Sequence, residues 1–155
     1  MVGTDGDFYI AGLCEGNHCS ESKKNDAGHG KVVLMKKNVA SNNTCSWDTV
    51  KKISIPKSAN FRDYSDIEVS SSGKVAITTQ EDSAMWMGTL TGINDGILDP
   101  ENLAFNEDQY SVFDFPKSNE CLTIYCNVEG ITFINDEMVM AVSDKMKGKG
   151  KQPHW

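Results

Sequence analysis

Apolar residues recur along this chain in short runs with a spacing of two, and nowhere with helical spacing held over three turns. Alternation is plain in Ile53-Ser54-Ile55 and Ile67-Glu68-Val69, as in half-buried antiparallel strands with one wet face. Nine segments read as strands: 8–13, 31–36, 50–55, 65–70, 74–79, 85–90, 110–115, 130–134 and 138–143. Each is rich in β-branched or aromatic residues and bounded by Gly, Asn, Asp, Ser or Pro. Asp99 followed by Pro100 predicts one short helical turn, with the aspartate as cap and proline in first position. The pattern predicts an all-β protein.

The strands also repeat. Tyr64-Ser65-Asp66-Ile67 through Gln80 can be laid without a gap on Val128-Glu129-Gly130-Ile131 through Asp144, an offset of 64 residues. Ser71-Ser72-Gly73 and Asn135-Asp136-Glu137 fall at the same place in the two copies and supply the turn between paired strands. Ile55-Pro56-Lys57-Ser58 recurs as Phe115-Pro116-Lys117-Ser118 at nearly the same spacing. A weaker third copy sets Phe8-Tyr9-Ile10-Ala11-Gly12 against Val75-Ala76-Ile77-Thr78-Thr79.

A period near 60 with about four strands per unit predicts blades of a β-propeller. Residues 1–155 then form one partial propeller of about two to three four-stranded antiparallel blades. The first blade is partial over 7–60, the second whole over 61–118, and the third partial over 119–155. Closure takes at least about four blades, so the expectation is a fragment of a larger protein or complex. Its backbone edges should then lie open near 8–13 and 138–143. The repeated apolar positions Ile67, Val69, Val75, Ile77, Met85, Met87, Ile131, Phe133, Val139 and Ala141 are the predicted core. Trp86, on a middle strand, reads as packing between blades, and Trp47, in a polar stretch, as the exposed aromatic.

With 155 residues, 39% apolar and 24% charged, the chain has the composition of one soluble globular domain with a real core. A formal charge of −7 argues against a nucleic-acid groove, which needs clustered Lys and Arg. The basic run Lys145-Met146-Lys147-Gly148-Lys149-Gly150-Lys151 reads as a solvated loop ahead of a phosphate or polyanion site, since glycines between the lysines favour flexibility. Apolar runs such as Val32-Val33-Leu34-Met35 are too short to cross a bilayer, and no signal-peptide pattern opens the chain.

Five cysteines include two pairs with equal spacing, Cys14 with Cys19 and Cys121 with Cys126, leaving Cys45 over. Residues five apart on a straight strand lie roughly 17 Å apart, so either pair bonds only across a turn. Gly16-Asn17 supplies such a turn for the first. Cys14, Glu15, His18 and Cys19, with His29 nearby, also offer the ligand types that zinc uses, without the paired Cys-x-x-Cys spacing of a zinc site. The cluster therefore reads either as a disulfide-pinned loop or as a metal site. Asn42-Asn43-Thr44 is a glycosylation sequon, with Asn42 as the acceptor, and with the cysteines it fits an extracellular or secretory setting.

Asp63, Asp66 and Glu129 stand at the entry to the first strand of successive units, which in a propeller borders the central channel. Two readings stand: carboxylates that hold calcium or act as an acid–base pair, and ordinary turn chemistry in which they cap backbone amides. Glu81 and Asp82 are close enough in sequence to join them. No Gly-x-Ser-x-Gly elbow, phosphate-binding loop or dinucleotide fingerprint is present.

The stretches Gly12-Leu13-Cys14-Glu15-Gly16-Asn17-His18-Cys19, Asp63-Tyr64-Ser65, 80–88 and Val128-Glu129-Gly130-Ile131 with Val142-Ser143-Asp144-Lys145 resemble a group of uncharacterised eukaryotic propeller proteins from plants, algae and related lineages. More distantly, the Glu-Gly-Ile opening and the strand ending in Ser-Asp-Lys resemble the SdiA-regulated and esterase-like propellers. The resemblance implies a propeller in a secretory or extracellular setting and carries no catalytic residue onto this chain. The expectation is a non-catalytic binding or assembly module without a cofactor, whose partner is another protein or the remainder of the propeller. The alternative is a calcium-assisted phosphate or ester hydrolase built on the channel-facing carboxylates.

Overall fold

The computed structural model describes residues 1–14, 30–40, 44–116 and 127–144. Among these there is no helix, and the strands form several small sheets, none closed into a ring. They are β1 (Val2–Gly3), β2 (Tyr9–Cys14), β3 (Lys31–Val39), β4 (Cys45–Ser54), β5 (Asp66–Val69), β6 (Lys74–Thr79), β7 (Ala84–Thr91), β8 (Ile93–Asn94), β9 (Ile97–Leu98), β10 (Ala104–Asp114), β11 (Asn127–Asn135) and β12 (Met138–Asp144).

All nine expected strands are present. Three two-residue strands were not legible in the pattern: β8 and β9 form a tiny hairpin, and β1 runs parallel to β9. The hairpin turns on Asp95 and Gly96, at φ 47° and 77°, the positive pair that a tight two-residue turn requires. The helical turn expected after Asp99 is not a helix. Asp99 Oδ1 accepts the amides of Glu101 at 3.1 Å and Asn102 at 3.4 Å, closing a single turn. Leu103 is then drawn into the core and β10 begins at the next residue, which leaves a helix no room.

The central sheet is an antiparallel meander in the order β5-β6-β7-β10, the whole four-stranded unit expected over 61–118. A three-stranded sheet, β2-β3-β4, precedes it, and the hairpin β11-β12 follows it. The two hairpins of the repeat have one register. Asp66 faces Thr78, Ile67 faces Ile77, Glu68 faces Ala76 and Val69 faces Val75. Sixty-four residues on, Gly130 faces Val142, Ile131 faces Ala141, Thr132 faces Met140 and Phe133 faces Val139.

The outer strands repeat as well. Ile55, just after β4, donates its amide to Gly30, just before β3; Phe115, just after β10, donates to Ser83, just before β7. These anchors correct the third copy. Cys14 pairs with Lys31, the first residue of β3, as Thr79 pairs with Ala84, the first of β7. Cys14 therefore matches Thr79, an offset of 79 − 14 = 65, where the sequence alignment had set Gly12. A slip of two residues leaves every side chain on its own face, so the apolar pattern alone does not expose the error.

Both faces of the central sheet are packed against a neighbouring sheet, the second face only in part. Val75, Ile77, Ala84 and Trp86 pack with Tyr9, Val32 and Leu34 of the first sheet, while Ala76, Met85 and Met87 pack with Val128, Ile131, Phe133 and Val139 of the hairpin. The sheets are thus stacked in chain order. Of the expected core, Val75, Ile77 and Ile131 are buried, while Ile67, Val69, Met85, Met87, Phe133 and Val139 are half-buried. Ala141 is exposed, because β12 lies at the edge of the last sheet and nothing described continues past it. Among the described residues no strand pairs with the outer edge of β12, while that of β2 is partly occupied: Met1 and Tyr9 exchange two hydrogen bonds at 2.9 Å.

Candidate functional site

Of the acidic trio, Asp63 and Asp66 are engaged by the protein itself. Asp63 Oδ1 accepts the Thr79 hydroxyl at 2.5 Å and the Glu81 amide at 3.0 Å, fastening the entry to β5 onto the turn after β6. Asp66 reaches across two sheets: Oδ1 accepts its neighbour Ile67 N–H at 2.8 Å, and Oδ2 accepts Ile131 N–H at 2.7 Å. Glu129 is exposed beside this junction. Among the described residues no three His, Cys, Asp or Glu side chains gather into a metal-holding group. Asp82 is taken by Arg62, whose Nε donates at 2.6 Å and whose backbone N–H donates at 2.8 Å, while Glu81 stays exposed. That hydrogen bond first, and the Coulombic attraction of Asp82 second, raise the Arg62 pKa.

In the cysteine cluster, Glu15, His18 and Cys19 lie outside the described residues, as do Asn42, His29, Cys121 and Cys126. Cys14 ends β2 and is disulfide-bonded, though no disulfide joins two described cysteines; Cys45 is an exposed free thiol. Ser83 holds a positive φ of 52° and has a buried hydroxyl without a partner among the described residues. The three histidines of the chain, His18, His29 and His154, fall outside those residues, so no imidazole is placed beside it.

Trp86 is packing, as its place on the strand predicts. It is fully buried, lies edge-on to Phe105 at 5.9 Å, stacks on Tyr110 at 6.2 Å and donates Nε1–H to Ser58 at 3.0 Å. Trp47 is 42% exposed on β4.

Two sets of polar contacts escaped the sequence reading. Ser72 donates to Asp136 Oδ1 at 2.9 Å and Lys74 Nζ to the Asp136 carbonyl at 2.6 Å, while Ser65 donates to the Val128 carbonyl at 3.0 Å. Ser72 and Asp136 occupy matched turns 64 residues apart, so the repeat held the signal. The other set is at the N-terminus, where Asp5 Oδ2 accepts Tyr9 O–H at 2.7 Å and Lys36 Nζ at 3.1 Å, and Lys36 also pairs with Asp7. The Tyr9 hydrogen bond first, then the Asp7 amide, hold the Asp5 carboxyl well below the usual carboxylate range. Its stabilising effect is therefore complete above the ordinary carboxylate pKa of about 4 and is lost only as pH falls through the depressed value. A carbon-detected NMR titration should find Asp5 still ionised when ordinary aspartates are half protonated, and Tyr9→Phe should move its midpoint upward. An unchanged midpoint in that variant would remove Tyr9 as the main cause.

The most open apolar surface lies on the last hairpin. Met138, Met140 and Val142 alternate along β12 and are 53%, 51% and 61% exposed. With Gly130, Ile131, Thr132 and Asp66 the last two border a cavity of about 170 Å³. These three residues stand 64 positions beyond Lys74, Ala76 and Thr78. Ala76 is buried under the hairpin, and Lys74 is tied to Asp136. The same face of the repeat is covered in one copy and bare in the next.

Fold and surface together define an all-β protein of packed antiparallel sheets in which the hairpins β5–β6 and β11–β12 share one register. The chain matches no protein-family model, no curated protein and no solved structure. No described helix is long and apolar enough to cross a membrane.

Proposed function

We propose that this chain is a non-catalytic assembly module of β-propeller type, whose sheets are successive blades and whose last hairpin offers its outer face to further sequence or to a partner protein. The observation that carries this reading is the repeat of register and of facing: the face of β6 covered by the hairpin is, 64 residues on, the exposed face of β12. Apolar sheet faces of this kind gain stability by being covered, by roughly 25 cal/mol per Å² removed from water. Engagement of Asp63 and Asp66 by backbone and hydroxyl donors supports structural work for the acids over hydrolysis. The disulfide at Cys14 supports the extracellular or secretory setting that the cysteine content suggested.

Replacing Met138, Met140 and Val142 together by lysine tests the reading. Exposed positions tolerate substitution within about 0.5 kcal/mol each, so circular dichroism and melting should change little. Binding of a hydrophobic dye such as anilinonaphthalene sulfonate should fall several-fold. Dye binding equal to that of the wild type would show that this face is not the bare surface, and a variant that no longer folds would show that it is not an outer face.

A further inference from the structure

The central sheet has four strands, but the hairpin packs on its face chiefly through β11, which lies against β5 and β6. Met85 and Met87 of β7 meet the hairpin as half-buried residues, and the part of that face on β10, with Ser111 and Phe113, is exposed. It carries a cavity of about 500 Å³ whose lining includes Met87, Ser111 and Phe113, and Phe113 is 48% exposed. Ser111 pairs with Met87 and Phe113 with Met85, so all four share the face turned to the hairpin.

The first sheet shows what such a face does when it has a cover. Val32 and Leu34 stand on β3 where Met85 and Met87 stand on β7, the second and fourth residues of each strand. Both are buried against Val75, Ile77 and Trp86 of the next sheet. Among the described residues two faces thus lack a full cover, the β10 side of the central sheet, where Lys74 and Asp108 also line the cavity, and the outer face of the hairpin. Each has the character of the surface that the other is missing. No charged residue interrupts β12 from Met138 to Ser143.

Resting on the assembly reading above, we infer that two copies of this chain pair about a two-fold axis, the β11–β12 hairpin of each seated on the β10 side of the other's central sheet. A two-fold satisfies both faces at once, because each contact occurs twice. The hairpins lie between the two central sheets, each with one face on its own chain and the other on its partner. Because each copy carries a charge of −7, association should tighten as salt rises and like-charge repulsion is screened.

Sedimentation velocity on the full chain should show a dimer that dissociates on dilution. Met140→Glu and Phe113→Lys should each leave the chain folded and monomeric. Mixed one to one they should form a dimer again, since one contact is then native and the other carries a Glu–Lys pair. Where Phe113→Lys loses its circular dichroism signal, Ser111→Arg, an exposed polar position on the same face, replaces it. A dimer that survives the β10 substitution but not Met140→Glu would place hairpin against hairpin, overturning this pairing while leaving the assembly module intact. A wild-type chain monomeric at hundreds of micromolar would overturn pairing of copies altogether, and dye binding to the lysine variant would then decide the assembly reading separately.

Discussion

Replacing Trp86 with alanine should cost about 3–5 kcal/mol of folding stability, the largest loss expected of any single side chain here. Trp86 heads the fully buried side chains by volume and lies in the layer between the first two sheets. Its truncation removes the contacts with Phe105 and Tyr110 and leaves the Ser58 hydroxyl without its donor. Total stabilities of domains this size run to about 5–15 kcal/mol, so the loss is a large share. Denaturant unfolding should show a lower midpoint with an unchanged slope. Trp86→Phe should lose clearly less, since a ring still fills most of the site. The neighbouring Gly88 adds a second check, because a Cβ there would stand 2.2 Å from the Trp86 ring. Gly88→Ala should then cost about 1–3 kcal/mol through overpacking. An alanine at position 86 that costs under 1 kcal/mol would mean that the first two sheets do not depend on this side chain for their contact.

The strands were legible because alternation and β-branched residues report the pleat directly: Lys74–Thr79 begins and ends where the pattern places it. The repeat was legible for a related reason, since Ile67, Val69, Val75 and Ile77 recur as apolar residues 64 positions on and keep their cross-strand partners. What escaped was short or indifferent to period. The two-residue strands β1, β8 and β9 have no run over which alternation accumulates, and β1 pairs with a segment more than 90 residues away in sequence. Strand β10 is longer than its apolar run because its ladder to β7 shifts between Asn106 and Ser111, where Glu107, Asp108 and Gln109 hide the strand behind a loop-like composition.

The site was legible only as residue types. Asp63 and Asp66 do stand at the entry to β5, whereas Glu129 lies within β11 at the bulge between Val128 and Gly130, and a sequence cannot tell a carboxylate awaiting an ion from one already accepting backbone amides. That distinction depends on where Ile131 N–H arrives from the next sheet. The exposed methionines show the converse. Met138 and Met140 share the pattern of a buried strand, and only the absence of a described neighbour beyond β12 makes them surface.

Asp66→Ala should cost about 3–4 kcal/mol, because one side chain serves two amides on two sheets. Hydrogen bonds to a charged acceptor contribute about 1.5–3 kcal/mol each, and partial exposure of Asp66 places the pair toward the lower end. The loss should concentrate at the junction of sheets, with the Ile131 amide exchanging faster while Val75 and Ile77, deeper in the central sheet, stay protected. Asp66→Asn keeps a single carbonyl acceptor and should lose about half as much. The same variants discriminate between the two readings of the acidic group. If Asp66 works as a staple between sheets, melting of the wild type should be the same in millimolar calcium and in chelator, and the alanine variant should be destabilised equally in both. A calcium-dependent rise in the wild-type melting temperature that Asp66→Ala abolishes would instead make the carboxylate a ligand, because an ion that binds the folded state stabilises it by mass action and a staple has nothing to bind.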